Sequence, residues 1–347
     1  MRKIILMMVS SLLLLSCNKE EEYQEINEQL VFTVPANFPP MVQDLSLNHP
    51  TQKGFELGRR LFYDANLSAD GTVSCSFCHE QGYAFTHHGH ALSHGIRDQE
   101  GTRNAPAVQN LMFMGEYFYD GASDNIEMLS IVPIHNPLEM DETLENIALK
   151  LQKDKTYVQM FKKAFNGADI TSGNILKALG QFMTMMVSAN SRYDKYVRNE
   201  PGGSLSVQEL QGMELFAQKC ASCHATDLFT DNSYRNNGLP ANPLLNDYGR
   251  QNVTGFGYDR YKFKVPSLRN AELTAPYMHD GRFGSLESVL NFYASGVKDS
   301  ETLDTLLHQN AVLGIALSAD EKTAIIAFIK TLTDEDFIKN PLFYYKT

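Results

Sequence analysis

Two stretches of the chain share one pattern, Cys75-Ser76-Phe77-Cys78-His79 and Cys220-Ala221-Ser222-Cys223-His224. Both read C-x-x-C-H, which is the attachment signature of c-type haem. Two residues between the cysteines let one helical turn present both sulfurs to the two vinyl groups of a haem, and the next histidine then lies under the iron. The sequence therefore predicts two covalent c-type haems. Their predicted covalent ligands are Cys75, Cys78, Cys220 and Cys223, and their predicted proximal ligands are His79 and His224.

The same cysteines would suit two other kinds of site. C-x-x-C pairs also build zinc sites, but zinc gives no reason for a histidine directly after both second cysteines. A thioredoxin-like redox pair needs a βαβ pattern around it, and neither stretch has one. Haem attachment accounts for every residue of the pattern, so we adopt it.

The first seventeen residues predict a lipoprotein signal peptide. Arg2 and Lys3 precede the apolar run 4–15, and Leu-Leu-Ser-Cys ends at Cys17. A charged start, about a dozen apolar residues and a small-residue end are typical of secretory signals. The run is short for a membrane-spanning helix. Its end resembles a bacterial lipobox, which predicts lipidation of Cys17; the alternative is a plain signal peptide with an incidental cysteine.

Residues 18–45 are expected to form a tether, because acidic residues and prolines punctuate them. A signal peptide followed by a tether predicts a lipoprotein of the cell envelope that faces the periplasm or the cell surface. We expect it to meet the membrane through its N-terminal lipid anchor alone. Export also fits haem attachment, which takes place in an oxidising compartment.

Composition indicates an ordinary globular protein of more than one domain. The chain has 347 residues, of which 43% are hydrophobic and 20% charged. At roughly 100–200 residues per domain, this length suggests two domains. The net charge of −11 argues against a nucleic-acid partner, because an acidic surface repels phosphate.

The two halves of the chain repeat each other. Each haem stretch follows a Gly-x-x-Leu-Phe sequence, at 58–62 and at 212–216. Each precedes an x-x-Pro-x-x-x-Asn sequence that contains Pro106 in the first half and Pro266 in the second. The same offset aligns Asp120-Gly121 with Asp280-Gly281.

Periods near 3.6 residues dominate the chain, and strand-like alternation is scarce. We therefore predict an all-α fold of two cytochrome c-type domains, each with one covalent c-type haem, at 46–198 and 199–347. The segment 200–204 is the expected hinge, and Ser318 and Glu321 predict a capping box. Helices are predicted over 142–165, 174–197, 206–219, 285–294 and 318–331.

In these features the chain resembles the bacterial dihaem cytochrome c peroxidases, including their MauG-like branch, over nearly its whole mature length. The resemblance implies that the N-terminal haem reacts with hydrogen peroxide and that the C-terminal haem takes electrons from a cytochrome c or a similar redox protein. The oligomeric state stays open, with a homodimer as one expectation. The motifs that carry the resemblance are Leu57-Gly-Arg-Arg-Leu-Phe-Tyr-Asp64, Arg103-Asn-Ala-Pro106, Asn136-Pro-Leu-Glu-Met140 and Leu273-Thr-Ala-Pro-Tyr-Met-His279.

The resemblance also implies a calcium ion between the domains. Its ligands would be the Asn104 side chain and the backbone carbonyls of Thr274 and Pro276, with water completing the shell. Oxygen ligands of this kind suit calcium.

Glu139 occupies the position at which the family carries its acid–base glutamate. A haem that reacts with peroxide needs a nearby base to move a proton from the proximal to the distal peroxide oxygen. We expect burial to raise the pKa of Glu139, which suits a group that both accepts and returns a proton.

The repeat predicts which haem iron is open to substrate. Tyr293 in the second half corresponds to Pro133 in the first, and proline has no side-chain donor for iron. The resemblance implies that the sixth ligand of the electron-accepting haem lies at Tyr293, where peroxidases proper have Met and MauG has Tyr. Met278 is the alternative ligand.

Three further positions lie around the predicted haems. Tyr119 stands where the family usually has a Trp between the haems, so it is the candidate electron relay. His279 matches a family position between the haems, with either a structural or an electron-transfer role. His94 lies near the position of a histidine that blocks the peroxide-reacting haem in peroxidases proper; it is either a haem ligand or a loop histidine. The neighbouring histidines at 87–90 suit no single helix face, so we expect a solvated loop there rather than a metal site.

Three functions therefore remain to be separated. The first is reduction of hydrogen peroxide to water, and the second is MauG-like oxidation of another protein or small molecule. Tyr293 favours the second, whereas Glu139 and Pro133 fit both. The third is a dihaem electron carrier without turnover, against which an open iron beside an acid–base glutamate argues.

Overall fold

A computed structural model describes residues 27–309 and 312–346. The predicted signal peptide, with Cys17, lies outside the described residues, as does the first part of the predicted tether. Within the described ranges, no helix combines the length and the apolar character that crossing a bilayer requires.

Helices joined by long irregular segments make up most of the regular structure. The α-helices are α1 (Gln52–Phe62), α2 (Cys75–Cys78), α3 (Ile131–His135), α4 (Leu144–Leu151), α5 (Lys155–Ala164), α6 (Ser172–Thr184), α7 (Arg192–Val197), α8 (Val207–Lys219), α9 (Gln251–Thr254), α10 (Leu286–Ser295), α11 (Ala319–Lys330) and α12 (Glu335–Ile338). Short 3-10 helices lie at Leu45–Leu47, Ala65–Leu67, Gln81–Tyr83, Ile96–Asp98, Leu111–Phe113, Met128–Ser130, Gly257–Asp259 and Thr305–Leu307.

Within the described residues, four two-residue strands depart from the predicted all-α fold. They are β1 (Tyr234–Arg235), β2 (Phe263–Lys264), β3 (His308–Gln309) and β4 (Val312–Leu313). β1 pairs antiparallel with β2, and β3 pairs antiparallel with β4. Strands of two residues are too short to show an alternating pattern, so periodicity could not reveal them. Helices still supply most of the core.

The sequence repeat is also a structural repeat, because each half is built on one closely packed helix pair. In the first half α1 packs on α6, and in the second α8 packs on α11. A Cβ added at Gly58 would lie 1.9 Å from the carbonyl oxygen of Ala178, and one added at Gly212 would lie 1.9 Å from that of Ala324. Only glycine permits so close an approach of two helix backbones.

A buried phenylalanine joins each helix pair to its haem stretch. The Phe62 ring on α1 lies 6.3 Å from the His79 ring, and the Phe216 ring on α8 lies 6.5 Å from the His224 ring. Both phenylalanines belong to the hydrophobic cores of their halves. The Gly-x-x-Leu-Phe repeat therefore makes two contacts in each half. Its glycine packs on the partner helix, and its phenylalanine lies near the predicted proximal histidine.

Two predicted helices are each divided in the structure. The segment 142–165 forms α4 and α5, and the Asp154 side chain caps α5 by accepting from Thr156 N. The segment 174–197 forms α6 and α7, because the chain between them is held by a distant residue. The side-chain amide of Asn110 donates to the Ser188 carbonyl at 3.1 Å and accepts from the Ser188 N–H at 2.9 Å. These two bonds hold residue 188 outside the helix.

The capping box predicted at the start of α11 is confirmed. The Ser318 hydroxyl accepts from Glu321 N at 3.2 Å, and the Glu321 carboxylate accepts from Ser318 N at 2.8 Å. Two of the first free N–H groups of the helix are thereby satisfied.

The described part of the predicted tether is packed against the first half, so the expectation of a free tether is wrong there. Phe38 is buried in the first-half core, and the Asn37 side chain donates to Asp194 at 2.9 Å. At the other end of the chain, Phe337 and Phe343 also join the first-half core. The division at residue 199 stays a prediction, and these segments cross it.

A buried ion pair holds the junction of the two halves. The Arg269 guanidinium donates to both carboxylate oxygens of Asp194 on α7, at 2.8 and 2.6 Å, and both side chains are 0% exposed. Burial alone would raise the pKa of Asp194, but the bonds from Arg269 lower it below its ordinary value. The pair is therefore charged, and each partner needs the other.

Candidate functional site

The first C-x-x-C-H stretch forms α2 and presents its histidine in the form that a haem iron binds. Nδ1 of His79 donates to the carbonyl of Phe85 at 2.8 Å. Burial lowers the pKa of His79, so the ring is neutral. With Nδ1 protonated and held, Nε2 carries the free lone pair, which is the usual arrangement of a ligating histidine.

The second stretch repeats this arrangement after the end of α8. Nδ1 of His224 lies 3.0 Å from the carbonyl oxygen of Phe229 and 3.2 Å from that of Pro266. Burial again lowers the pKa of the ring. Both donor sets therefore fit a c-type haem.

The four cysteines do not build a zinc site. Among the described residues, the cysteines form no group of three or more ligand atoms within 4.8 Å of one another. Burial raises the pKa of Cys75 and of Cys220 to about 12. The two pairs serve separate sites, as the haem interpretation requires.

Glu139 is held in a half-buried position by a neighbouring loop. Ser93 Oγ donates to Glu139 Oε1 at 3.0 Å, and Ile96 N donates to the Glu139 carbonyl at 2.8 Å. Between them, a Cβ at Gly95 would lie 2.0 Å from the Leu138 carbonyl oxygen, so the loop touches the Glu139 backbone directly. Burial raises the pKa of Glu139, as predicted, while bonds from Ser93 and Asn136 oppose the rise.

The same loop connects Glu139 to the first haem stretch. Cys78 Sγ lies 3.2 Å from the carbonyl oxygen of His94, the residue after Ser93. Burial raises the pKa of Cys78 to about 12, and the Glu139 carboxylate adds to the rise. The carboxyl group therefore lies close to the first stretch, and its role there stays a prediction.

His94 lies in a cluster that the sequence did not predict. Its Nε2 is 3.4 Å from Glu100 Oε1, and its ring is adjacent to those of His87 and His90. His87 is buried, so the expectation of a solvated loop is wrong for that residue. His94 as a haem ligand stays a prediction.

The two candidate sixth ligands of the second haem meet at one asparagine. The Asn237 side-chain amide lies 3.3 Å from the Tyr293 hydroxyl and 3.7 Å from Met278 Sδ. Burial raises the pKa of Tyr293, with a further contribution from Cys223 and Cys220, so the phenol lies beside the second haem stretch. The structure brings the two candidates to the same asparagine and does not choose between them.

Tyr119 and His279 occupy equivalent positions in the two halves and make reciprocal contacts across the junction. Lys264 N donates to the Tyr119 carbonyl at 2.7 Å, and Asn104 N donates to the His279 carbonyl at 2.8 Å. The His279 ring stacks on Phe263 with centroids 3.7 Å apart. Burial raises the pKa of Tyr119 and lowers that of His279 to about 4. Both side chains are therefore uncharged.

Arg103 adds an ion-pair cluster to this junction. Its guanidinium donates to Asp120 at 2.6 Å and to both oxygens of Asp247 at 2.7 Å. Sequence reasoning missed Asp247, since it lies in an irregular segment and matches no repeat position. The ion pair of Arg103 and Asp247 links the two halves, and the Arg103 guanidinium lies over the Phe263 ring.

Lys264 is a second residue that sequence reasoning missed. Its Nζ donates to the Glu116 carbonyl at 2.7 Å and lies 3.7 Å from Met114 Sδ. Burial lowers its pKa to about 8. The repeat itself is the signal that could have revealed it, because Lys264 is the counterpart of Asn104.

Of the predicted calcium ligands, Asn104 has a side chain that bonds to its own half, and the calcium site stays a prediction. The Asn104 side-chain amide donates to the carbonyls of His90 and Ala91, both at 3.1 Å. By the repeat, the predicted ligands Thr274 and Pro276 are the counterparts of Met114 and Glu116.

Comparison with known proteins finds relatives among cytochrome c peroxidases and MauG proteins. Residues 52–202 match the family of di-haem cytochrome c peroxidases (CCP_MauG). The chain is 34% identical over 294 residues to cytochrome c551 peroxidase of Nitrosomonas europaea, covering 83% of this chain and 82% of the relative. It is 31% identical over 321 residues to the methylamine utilization protein MauG of Methylorubrum extorquens, covering 90% and 87%. Among solved structures, a MauG-like protein associated with microbial copper homeostasis superposes with a TM-score of 0.81 at 32% identity, covering 91% of this chain and 99% of that one.

Proposed function

Because this chain belongs to the family of dihaem cytochrome c peroxidases and MauG proteins, we propose that it reduces hydrogen peroxide to water with electrons from a cytochrome c or a similar redox protein. The family makes it a haem-dependent oxidoreductase. One observation supports turnover rather than electron carriage alone. A half-buried carboxyl group, Glu139, lies beside the first haem stretch with its pKa raised by burial. A pure electron carrier has no use for such a group.

Two c-type haems are the proposed cofactors. When bound, they supply an iron that accepts peroxide at the first stretch and an electron-transfer centre at the second. In each stretch the protein holds the proximal histidine through Nδ1, which sets the orientation of its ring.

The proton transfers of the reaction fall to Glu139. Reduction of one hydrogen peroxide to two waters consumes two electrons and two protons, and one proton must move from one peroxide oxygen to the other. Ser93 holds Glu139 at Oε1, so the carboxylate keeps one orientation while it takes up this proton and returns it. Its raised pKa brings its proton affinity closer to that of the substrate.

For the second haem we propose Tyr293 as the sixth ligand. Its hydroxyl lies beside the second stretch, and its counterpart Pro133 cannot bind iron. Phenolate is anionic and hard, so it favours ferric iron and lowers the reduction potential of that haem. This feature also supports the second candidate function, MauG-like oxidation of another protein or small molecule.

Calcium between the halves is a further proposal, and the repeat supports it. The Lys264 ammonium donates to the Glu116 carbonyl, and Glu116 is the counterpart of the predicted ligand Pro276. The Lys264 ammonium therefore supplies a positive charge at the position that is equivalent, by the repeat, to the predicted calcium site. At the predicted site the counterpart of Lys264 is Asn104, which has no charge. Asn104, Thr274 and Pro276 would bind calcium there.

We also propose that the mature protein is a lipoprotein of the cell envelope, anchored through Cys17. Labelling with a radioactive or alkyne fatty acid would test this proposal. Loss of the label in Cys17→Ala supports it, and an unlabelled wild-type protein contradicts it.

Steady-state kinetics of the holoenzyme test the peroxidase proposal. Oxidation of a reduced cytochrome c is followed with and without hydrogen peroxide, in wild type and in Glu139→Gln. The exposed Glu145, near the start of α4, supplies a matched control as Glu145→Gln. Peroxide-dependent turnover that Glu139→Gln removes and Glu145→Gln preserves supports the proposal. Absence of turnover with every cytochrome donor, together with oxidation of a non-haem substrate, favours the MauG-like function instead.

A further inference from the structure

Three histidine side chains converge on one point in the loop that follows the first haem stretch. The ring nitrogens that His87, His90 and His94 can offer to a metal all lie within 4.8 Å of one another. The ring centroids of His87 and His90 are 4.3 Å apart, as are those of His90 and His94. In the described part of the chain, this is the one group of three or more His, Cys, Asp or Glu side chains that meets this criterion.

One ring nitrogen of the buried member has no hydrogen-bond partner among the described residues. His87 is 5% exposed, and its Nδ1 is buried without a hydrogen bond. A buried polar atom left unpaired is costly, so such an atom calls for a ligand. Nδ1 of His87 is therefore a nitrogen left free to bind a cation.

We propose that His87, His90 and His94 bind one divalent transition-metal ion of the kind that favours imidazole, such as Zn²⁺ or Cu²⁺. Metal–nitrogen bonds of about 2.0–2.1 Å place the three nitrogens roughly 3.3 Å apart in a tetrahedral site. The three nitrogens already lie within 4.8 Å of one another, so the proposed site requires each pair to approach by about 1.5 Å or less. Three imidazole nitrogen donors suit these ions and not calcium, which requires oxygen.

A carboxylate lies next to one of the three proposed ligands, on the ring nitrogen that would not bind the metal. Glu100 Oε1 lies 3.4 Å from Nε2 of His94. A ligating histidine commonly donates its second ring N–H to a carboxylate, which orients the ring and raises its basicity. With Nε2 of His94 directed to Glu100, Nδ1 is the atom left for the metal.

The metal site has a consequence for the first haem pocket, and this consequence rests on the proposed function. Ser93, directly before His94, holds Glu139 by its hydrogen bond to Oε1. A metal bound to His94 would immobilise the loop that positions this carboxyl group. It would also hold the His94 side chain away from any other ligand.

Metal binding to the holoenzyme tests the site directly. The purified dihaem protein is treated with a chelator, supplied with calcium, and titrated with Zn²⁺ or Cu²⁺ by calorimetry. Metal content is then measured by mass spectrometry after dialysis. We expect one equivalent of the added metal per chain, over two of iron. His90→Asn and His94→Asn should each weaken binding by at least 100-fold, and Glu100→Gln by about 10- to 100-fold.

His88 provides the matched control, because it lies in the same loop and stacks on Tyr83 with ring centroids 3.7 Å apart, outside the group. His88→Ala should bind metal as wild type does. Two results would overturn the proposal: no bound equivalent at 100 µM metal, or equal binding by wild type, His90→Asn and His94→Asn. Peroxide turnover is measured on the same samples. If the protein binds metal but does not turn over peroxide, the metal site is supported and the proposed function is contradicted. If it turns over peroxide but binds no metal, the proposed function is supported and the metal site is contradicted.

Discussion

The free energy of unfolding of the wild-type protein should rise with pH in the alkaline range, and Lys264→Met should remove this rise. The Lys264 ammonium is buried at the junction of the two halves, and its pKa falls from 10.5 to about 8 on folding. The unfolded chain therefore binds more protons than the folded protein between pH 8 and 10.5. Stability rises with pH wherever the unfolded state binds more protons.

The size of this rise follows from the two pKa values. Each unit of difference corresponds to 1.36 kcal/mol, so a shift of about 2.5 units gives about 3.4 kcal/mol across the whole window. The steepest slope is about 1.4 kcal/mol per pH unit. Methionine has a similar length and does not titrate, so the variant lacks this contribution. It also leaves the Glu116 carbonyl without its 2.7 Å donor, which lowers stability at every pH by about 1–3 kcal/mol.

Urea unfolding of the holoenzyme, followed by far-UV circular dichroism at pH 7.5, 8.5, 9.5 and 10.5, measures both effects. Lys298, which is exposed, provides the control Lys298→Met, whose pH dependence should match that of wild type. Equal pH dependence in wild type and Lys264→Met would refute the reasoning, because the burial of Lys264 would then carry no proton linkage.

Three other predictions concern the proposed chemistry and the junction. Glu139→Gln should leave both haem spectra nearly unchanged and reduce peroxide turnover by roughly 10²–10⁴, the usual range for loss of a general acid–base group, whereas Glu145→Gln should turn over normally. Turnover of Glu139→Gln near that of wild type would remove this residue from the mechanism. Tyr293→Phe should convert the second haem to a five-coordinate or water-bound species and raise its reduction potential in spectroelectrochemistry; an unchanged ferric spectrum would mean that another residue is the ligand. Asp194→Asn should lower the free energy of unfolding by about 3–5 kcal/mol, because it leaves the Arg269 charge buried without its partner, and a loss below 1 kcal/mol in denaturant titration would contradict this account.

Local patterns predicted five segments that form helices, because helix formation depends on neighbours a few residues apart, but they missed α1. The periodic segments correspond to helices, and the capping box at Ser318 is present. The break between α6 and α7 was missed because its cause is distant in sequence. Asn110 pairs with Ser188 from the other side of the core, and no local pattern at 184–191 reports that contact.

The haem stretches could be identified from sequence because covalent attachment demands its cysteines and histidine within one helical turn. The repeat likewise identified equivalent residues, since equivalent contacts preserve their spacing. Glu139, in contrast, was identified through family resemblance, and the structure adds the bond from Ser93 and the rise in its pKa.

Sequence alone determined that this chain carries two haem-binding stretches in two repeated halves, because each stretch is complete within five consecutive residues. Tertiary structure decided the rest. It brings His87, His90 and His94 together, although they suit no single helix face, since a loop can fold back where a helix cannot. It also places Lys264 against Glu116 and Arg103 against Asp247 across the junction. The contacts of Lys264 and Arg103 join residues more than a hundred positions apart, so the burial of these charges exists only once the two halves have packed.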